Sequence, residues 1–220
     1  MGERVAYQTD TSDMFIPHGL FRTALASSDG VIAAVAAGDR QQSAVVGSYF
    51  DNLLRFLDAH HGGEDALLWP VLSRRCPEAA ELLERMEGEH QAIDRARHTA
   101  GDHLQGWTQS ADPEFGRDLA QSLRDLRREL EAHLGEEERE ILPLASKNVS
   151  PEEWGALPGH AMAHFTGDKP WLVLGLIFEQ MTPEQLALTT KMLPPPVVEM
   201  WTTTGRAAFD SYIAQVGRNL

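Results

Sequence analysis

The chain has 220 residues, 42% of them hydrophobic, which is enough for one compact domain, or one domain with an extension, around a proper core. Its 33 acidic residues outnumber 19 basic ones, and the resulting net charge of −14 disfavours nucleic acid as a partner because such a surface repels polyanions. Since Cys76 is the only cysteine, an internal disulfide is excluded and a reducing compartment fits.

The sequence gives no sign of export or membrane insertion. Residues 1–13 are polar and lack the apolar core of a signal peptide. The longest apolar run, Trp171 to Phe178, is far too short to span a bilayer. We therefore expect a cytoplasmic protein with no membrane partner.

Apolar residues recur at helical spacing in four successive segments. These segments predict helices from Ser12 or Asp13 to Gly38, from about Asp39 towards Pro70, from about Glu78 to Gln105, and from about Glu114 to Lys147. We expect a loop from Gly106 to Pro113 and turns at the other junctions. Four long amphipathic helices joined by short loops predict an all-α, up-down-up-down four-helix bundle.

The sequence changes character near residue 148, and we divide the chain into a bundle, residues 1–148, and a helical extension, residues 149–220. We expect helices that begin at Ser150, Pro170 and Thr182, an irregular stretch over residues 158–169, and a last helix after the three prolines at 194–196. Because the extension is rich in apolar residues, we expect it to pack on the bundle and to cover one end of it.

One segment of the sequence occurs twice. LDAHHGGEDALLWP ends at Pro70, and LEAHLGEEEREILP ends at Pro143. The alignment places His60 opposite His133 and Glu64 opposite Glu137. In each copy the histidine and the glutamate stand at i and i+4, so they lie on one face of a helix.

The repeat also includes one histidine upstream of each copy. His18 precedes His60 by nearly the same interval as His90 precedes His133, which predicts two helical hairpins related by a pseudo-two-fold axis. Six residues thus fall on core-facing stripes in repeat register: His18, His60, Glu64, His90, His133 and Glu137. A lone buried histidine is usually a hydrogen-bonded core residue, but carboxylates are costly to bury unpaired. A shared metal site accounts for all six residues together.

Two further residues are candidates for the same site. On a helical projection Glu64 lies between His60 and His61, so all three side chains could reach one site; the alternative is that His61 is a partly exposed flanking residue. Asp94 stands at i+4 from His90 and is by default a solvated helix residue.

The candidate ligands are imidazoles and carboxylates without a thiolate. Such a set argues against structural zinc, whereas calcium and magnesium prefer sites made only of oxygen atoms. The ordered pattern of single histidines and HxxxE pairs resembles the hemerythrin-like, HHE cation-binding domain, and the resemblance covers about residues 13–147. It implies two non-haem iron ions joined by an oxo or hydroxo bridge. The implied roles are bridging for Glu64 and Glu137 and terminal ligation for His18, His60, His90 and His133.

The chain departs from the O2-carrying hemerythrins at one position. Their third helix offers two histidines four residues apart, whereas this chain has His90 followed by Asp94. Either His61 or Asp94 is then the candidate for the remaining ligand. We expect a protein that binds or senses O2 or nitric oxide, with two alternatives: an oxidoreductase that activates O2 or breaks down peroxide, and a metal-binding or buffering protein. The sequence identifies no redox partner.

Overall fold

A computed structural model describes residues 7–217 of the chain, and it has the predicted all-α architecture. The bundle contains seven α-helices in this range: α1 Phe15–Ala26, α2 Ser28–Ala33, α3 Arg40–Gly63, α4 Trp69–Arg75, α5 Ala80–Ser110, α6 Pro113–Glu136 and α7 Leu142–Asn148. They make up four helical segments: α1–α2, α3–α4, α5 and α6–α7. The extension adds six more: α8 Pro151–Gly155, α9 Leu157–His164, α10 Pro170–Glu179, α11 Pro183–Met192, α12 Pro195–Met200 and α13 Arg206–Val216. Over these residues, no helix is both long enough and apolar enough to cross a bilayer.

Aspartate side chains cap the first turns of α3 and α6 at one end of the bundle. The Asp39 carboxylate accepts a hydrogen bond from the Gln42 backbone N–H at 2.9 Å, and the Asp112 carboxylate accepts one from Glu114 at 2.7 Å. The helix α5 ends where Ala111 adopts a left-handed conformation with φ of 50°, so α5 and α6 are joined by only two residues. The predicted loop from Gly106 to Pro113 is therefore wrong over most of its length, because α5 continues through Ser110.

Two of the long helices contain a π-helical turn. These turns span Glu64–Leu68, between α3 and α4, and Glu137–Ile141, between α6 and α7. In each, a backbone N–H donates to the carbonyl of the glutamate five residues earlier, so one extra residue is accommodated before Pro70 or Pro143. The chain remains helical beyond both prolines, which lie in the first turn of the following helix, where no N–H is required.

The hydrophobic core is divided into two clusters along the bundle axis. One cluster contains Leu57, Ile93 and Leu134, and the other contains Leu68, Met86 and Ile141. On the helices that contribute to both clusters, the repeated histidines and glutamates fall between them. The polar residues therefore form a layer across the middle of the bundle, enclosed by apolar packing on both sides.

The extension packs along the flank of α3 and not over one end of the bundle. Phe209 and Leu172 belong to the same hydrophobic cluster as Phe50 and Leu53 of α3. Near the start of α3, the Tyr212 hydroxyl donates to the Val45 carbonyl at 2.7 Å. At the far end of α3, α9 lies against Gly63, where an added Cβ would stand 3.5 Å from the His160 ring.

The structure differs from the sequence-based expectation at two further places. The irregular stretch predicted over residues 158–169 is wrong over its first half, where residues 157–164 form α9, since Pro158 lies in the first helical turn and is tolerated there. The first predicted helix is divided into α1 and α2 at Ser27. The separation into units 1–148 and 149–220 stays a prediction.

Candidate metal centre

All seven residues predicted as metal ligands are buried in the layer between the two hydrophobic clusters. His18 comes from α1, His60 and His61 from α3, His90 from α5, and His133 from α6. Glu64 and Glu137 begin the two π-helical turns. Their exposed fractions are 7% or less: His18 0%, His60 7%, His61 7%, Glu64 1%, His90 5%, His133 0% and Glu137 0%.

Each glutamate lies between histidines that face each other across the bundle. One carboxylate oxygen of Glu64 lies 3.3 Å from the Nε2 atom of His60, and the other lies 3.4 Å from the Nε2 atom of His90. The Oε2 atom of Glu137 lies 3.3 Å from His18 Nε2 and 3.9 Å from His133 Nε2. Both carboxylates are thus placed to be shared between two positions.

The potential ligand atoms form two groups. His18, His60 and Glu64 offer atoms within 4.8 Å of one another, and so do His61, Glu64, His90 and His133. Because Glu64 belongs to both groups, the geometry has the form of two adjacent sites with a common carboxylate. One group contains two histidines and the other contains three.

His61 lies in the cluster and Asp94 does not. The His61 ring stacks on that of His90 with the ring centroids 4.1 Å apart and the planes inclined by 10°. The Asp94 carboxylate is half exposed and forms ion pairs with Arg97 at 2.5 Å and with His98 at 3.3 Å. It lies at the rim of a cleft of about 500 Å³ that reaches His61 and His90 from solvent.

The hydrogen bonding of these side chains is incomplete without a cation. Seven buried atoms have no hydrogen-bond partner: the Nε2 atoms of His18, His60 and His61, and both carboxylate oxygens of Glu64 and Glu137. Buried carboxylate oxygens are rarely left unpaired, because the desolvation cost is large. Imidazole nitrogens and carboxylate oxygens are suitable donors to iron, so the residues fit the group that the sequence pattern implies.

Three carboxylates orient the histidine rings from outside the cluster. The Nδ1 atom of His18 lies 2.8 Å from Glu138, that of His90 lies 2.7 Å from Asp65, and that of His133 lies 3.0 Å from Glu89. An Nδ1–H group that donates to a carboxylate leaves the Nε2 lone pair directed into the cluster, as in metal-binding histidines.

Two of these three outer contacts also obey the repeat symmetry. Glu138 of the second HxxxE copy contacts His18 of the first half, and Asp65 of the first copy contacts His90 of the second half. Sequence reasoning missed these supporting acids. A signal was nevertheless present, because an acidic residue follows the glutamate in both copies of the repeat. Each half of the bundle thus completes the histidine environment of the other half.

Without a cation, the neighbouring carboxylates favour protonation of two of the buried histidines. Burial opposes protonation of His18, but the carboxylates of Glu137 and Glu138 outweigh it and raise the pKa of His18 to about 9. Burial likewise opposes protonation of His90, and Asp65 and Glu64 raise its pKa to about 9.

The pKa values of three other buried groups, His60, Glu64 and Glu137, shift in different directions. Burial, reinforced by neighbouring histidines, lowers the pKa of His60 to about 3. Burial and then repulsion by Glu137 raise the pKa of Glu64. Burial opposes ionisation of Glu137, but His18 outweighs it and lowers the pKa of Glu137. Without a cation, these pKa shifts favour a proton on His18 and on His90 beside the carboxylates, and a bound cation would displace those protons.

A four-helix bundle with a buried layer of repeated histidines and glutamates defines a cation-binding helical protein. Residues 13–145 match the Hemerythrin HHE cation binding domain, which is more than half of the chain. The chain therefore belongs to the hemerythrin family. No curated protein and no solved structure gave a significant match.

Proposed function

We propose that the seven buried residues hold two iron ions and that the protein binds O2 or a related small oxidant there, as a binding or sensing protein. The observation that carries the proposal is the position of Glu64, whose two unpaired oxygens face histidines of two different groups. A carboxylate in this position suits a bridge between two metal ions. The family assignment supports cation binding at the same layer.

The roles of the residues follow from the two groups. Glu64 and Glu137 would be shared between the ions. His18 and His60 would bind one ion, and His61, His90 and His133 would bind the other. Iron that cycles between the ferrous and ferric states would supply the electrons for O2 chemistry, while the protein positions the ligands and limits access of water. The group with two histidines has one protein ligand fewer, so an exogenous molecule has room on that side.

The alternative of a di-iron oxidoreductase that activates O2 or breaks down peroxide is supported by a separate observation. An apolar cavity reaches His60 and Glu64, on the side of the group with two histidines. A carrier of diatomic molecules needs no apolar cavity beside the ions, whereas an enzyme with an organic substrate needs one to hold that substrate.

Stopped-flow absorbance would test the proposal on protein loaded anaerobically with ferrous iron and mixed with O2. We expect an O2-dependent visible band that forms and then decays, together with little steady consumption of peroxide. No band combined with steady peroxide breakdown would favour the oxidoreductase. Neither a band nor turnover would leave metal buffering as the function.

A further inference from the structure

The extension and the bundle together line an apolar cavity of about 270 Å³ beside the cluster. His60 and Glu64 lie at one side of this cavity. Trp154 and Leu157 contribute to its wall from α8 and α9, and Ile177 contributes from α10. The cavity therefore exists only because the extension is folded against the flank of the bundle, and the four bundle helices alone would leave this side of His60 open.

The size of the cavity indicates its occupant. A cavity of roughly 150 Å³ lined by apolar side chains accommodates benzene, and pockets for drug-sized ligands begin at about 300 Å³. The observed volume lies between these values, much larger than a diatomic molecule needs. The fitting ligand is a compact molecule of about ten non-hydrogen atoms.

The chemical character of the wall narrows the class of ligand further. Most of the lining side chains are apolar, and none of those that the structure describes around the cavity is a lysine or an arginine. Two carboxylates, Glu64 and Asp13, do reach it, and the Asp13 carboxylate is occupied by a hydrogen bond from the Trp154 indole at 2.9 Å. In the metal-free protein an anionic ligand would meet these carboxylates and no cationic side chain in the cavity wall, so an uncharged molecule is favoured.

The outer wall of the cavity is thin. Thr189 and Leu193 line the cavity from α11 and from the residue that follows it. In α11 itself no described side chain is buried, and Leu188 and Met192 are 62% and 84% exposed. A helix with so few buried contacts opens at low cost, which gives a ligand a route to the cavity.

We propose that this cavity is a binding site for a small, uncharged, aromatic or branched apolar molecule, held between the extension and the side of the cluster formed by His60 and Glu64. The inference deepens the proposed function, because such a molecule would lie beside the ion bound by His18 and His60. Binding of the molecule itself does not require the metal, so the two proposals can fail separately.

Indole is a suitable probe because it is uncharged, compact and soluble. Isothermal titration of the full chain, metal-free and iron-loaded, should give one site with a Kd of about 1 mM or tighter. The substitution Ala161→Phe places a ring in the cavity and should weaken indole binding at least tenfold. Ala163→Phe is the matched control, since Ala163 is exposed on the same helix and should leave the Kd unchanged.

If Ala161→Phe does not fold, Thr189→Phe blocks the cavity from its thin wall at a half-buried position and should have the same effect. Absence of indole binding in the native sequence, or equal binding by the blocked and control variants, would overturn the inference. Iron content measured on the same samples separates the outcomes. Protein that binds iron and not indole would contradict only this inference, and protein that binds indole and not iron would contradict only the proposed function.

Discussion

The rings of His61 and His90 stack with their centroids 4.1 Å apart, and this contact fixes the asymmetry of the cluster. The second copy of the repeat has Leu134 where the first has His61, so the extra imidazole is present in only one half. His61 lies with His90 and His133, opposite the side that faces the apolar cavity. The cleft at Asp94 and the apolar cavity therefore reach the cluster from different directions.

Replacement of His61 tests whether this imidazole is a ligand. We expect His61→Ala to weaken binding of one iron ion at least tenfold and to change the absorbance trace after O2 is added, because one nitrogen donor is lost. Chelator competition and stopped-flow absorbance would measure the two effects. His98→Ala is the control, since His98 is exposed on α5. If His61→Ala and the native protein gave the same affinity and traces, His61 would have to be removed from the site.

Asp65 tests the outer layer of carboxylates. Asp65 accepts hydrogen bonds from His90 and from the Trp69 indole, so it fixes the orientation of the His90 ring. We expect Asp65→Asn to reduce iron affinity by about 10- to 100-fold with little change in fold. The matched control is Asp58→Asn, because Asp58 lines the same cleft and pairs with Arg97 at 2.9 Å instead of with a histidine ring. Equal losses in both variants would point to a general charge effect and not to His90.

The packing of the extension can be tested at a glycine. A Cβ atom at Gly175 of α10 would fall on the Phe209 ring of α13. We expect Gly175→Ala to lower the free energy of unfolding by about 1 to 3 kcal/mol. Gly101→Ala is the control inside α5, where an added Cβ meets nothing within 4 Å, and it should stabilise by about 0.5 to 1 kcal/mol. Urea unfolding should show a lower free energy of unfolding for Gly175→Ala and a higher one for Gly101→Ala. If Gly175→Ala were as stable as the native protein, the close approach of α10 and α13 would be contradicted.

An ion pair that joins the bundle to the extension gives a pH-dependent prediction. Arg75 donates two hydrogen bonds to Glu153, at 2.7 and 2.8 Å, and lowers the pKa of Glu153 to about 2. Because this folded-state pKa lies below the ordinary glutamate value of 4.5, the stabilisation is present above pH 4.5 and is lost as the pH falls from 4.5 towards 2.

The Glu153 carboxylate is one-third exposed, so we expect Glu153→Gln to cost only about 1 kcal/mol at neutral pH. Urea unfolding at pH 7, 4 and 3 should show the difference from the native protein shrinking at the lower values. Glu152→Gln, at the exposed neighbouring position, serves as the control. A difference that stays constant over this range would rule out the ion pair as its source.

The fold and the histidine cluster could be predicted where the sequence repeat coincides with the helical spacing of apolar residues. The all-α bundle and the convergence of His18, His60 and His133 could be predicted because burial of a polar residue on an aliphatic stripe needs an explanation. The π-helical turns could not be located, since their only signal is a proline six positions after each glutamate, and a proline is equally compatible with a helix end. The length of α5 was underestimated because Gly106 suggested a turn, whereas tertiary packing of Trp107 continued the helix.

The choice between His61 and Asp94 also needed the structure. Both residues stand at helical spacings that could reach the cluster, and only the arrangement of α3 and α5 determines which one does. The Asp94 carboxylate pairs with Arg97 and His98, and these ion pairs hold it at the surface, away from the cluster. The cavity beside His60 was not predicted, because part of its wall comes from the extension. The repeat does not indicate how the extension packs along α3.

The central claim, two iron ions shared by Glu64 and Glu137, is tested most directly by iron content. The full chain would be loaded anaerobically with ferrous iron, freed of excess metal, and measured for iron per chain, beside Glu64→Gln, Glu137→Gln and the exposed control Glu140→Gln. We expect two iron ions per chain for the native protein and for Glu140→Gln, and one or none for the other two variants. One iron ion or none in the native protein would contradict the account.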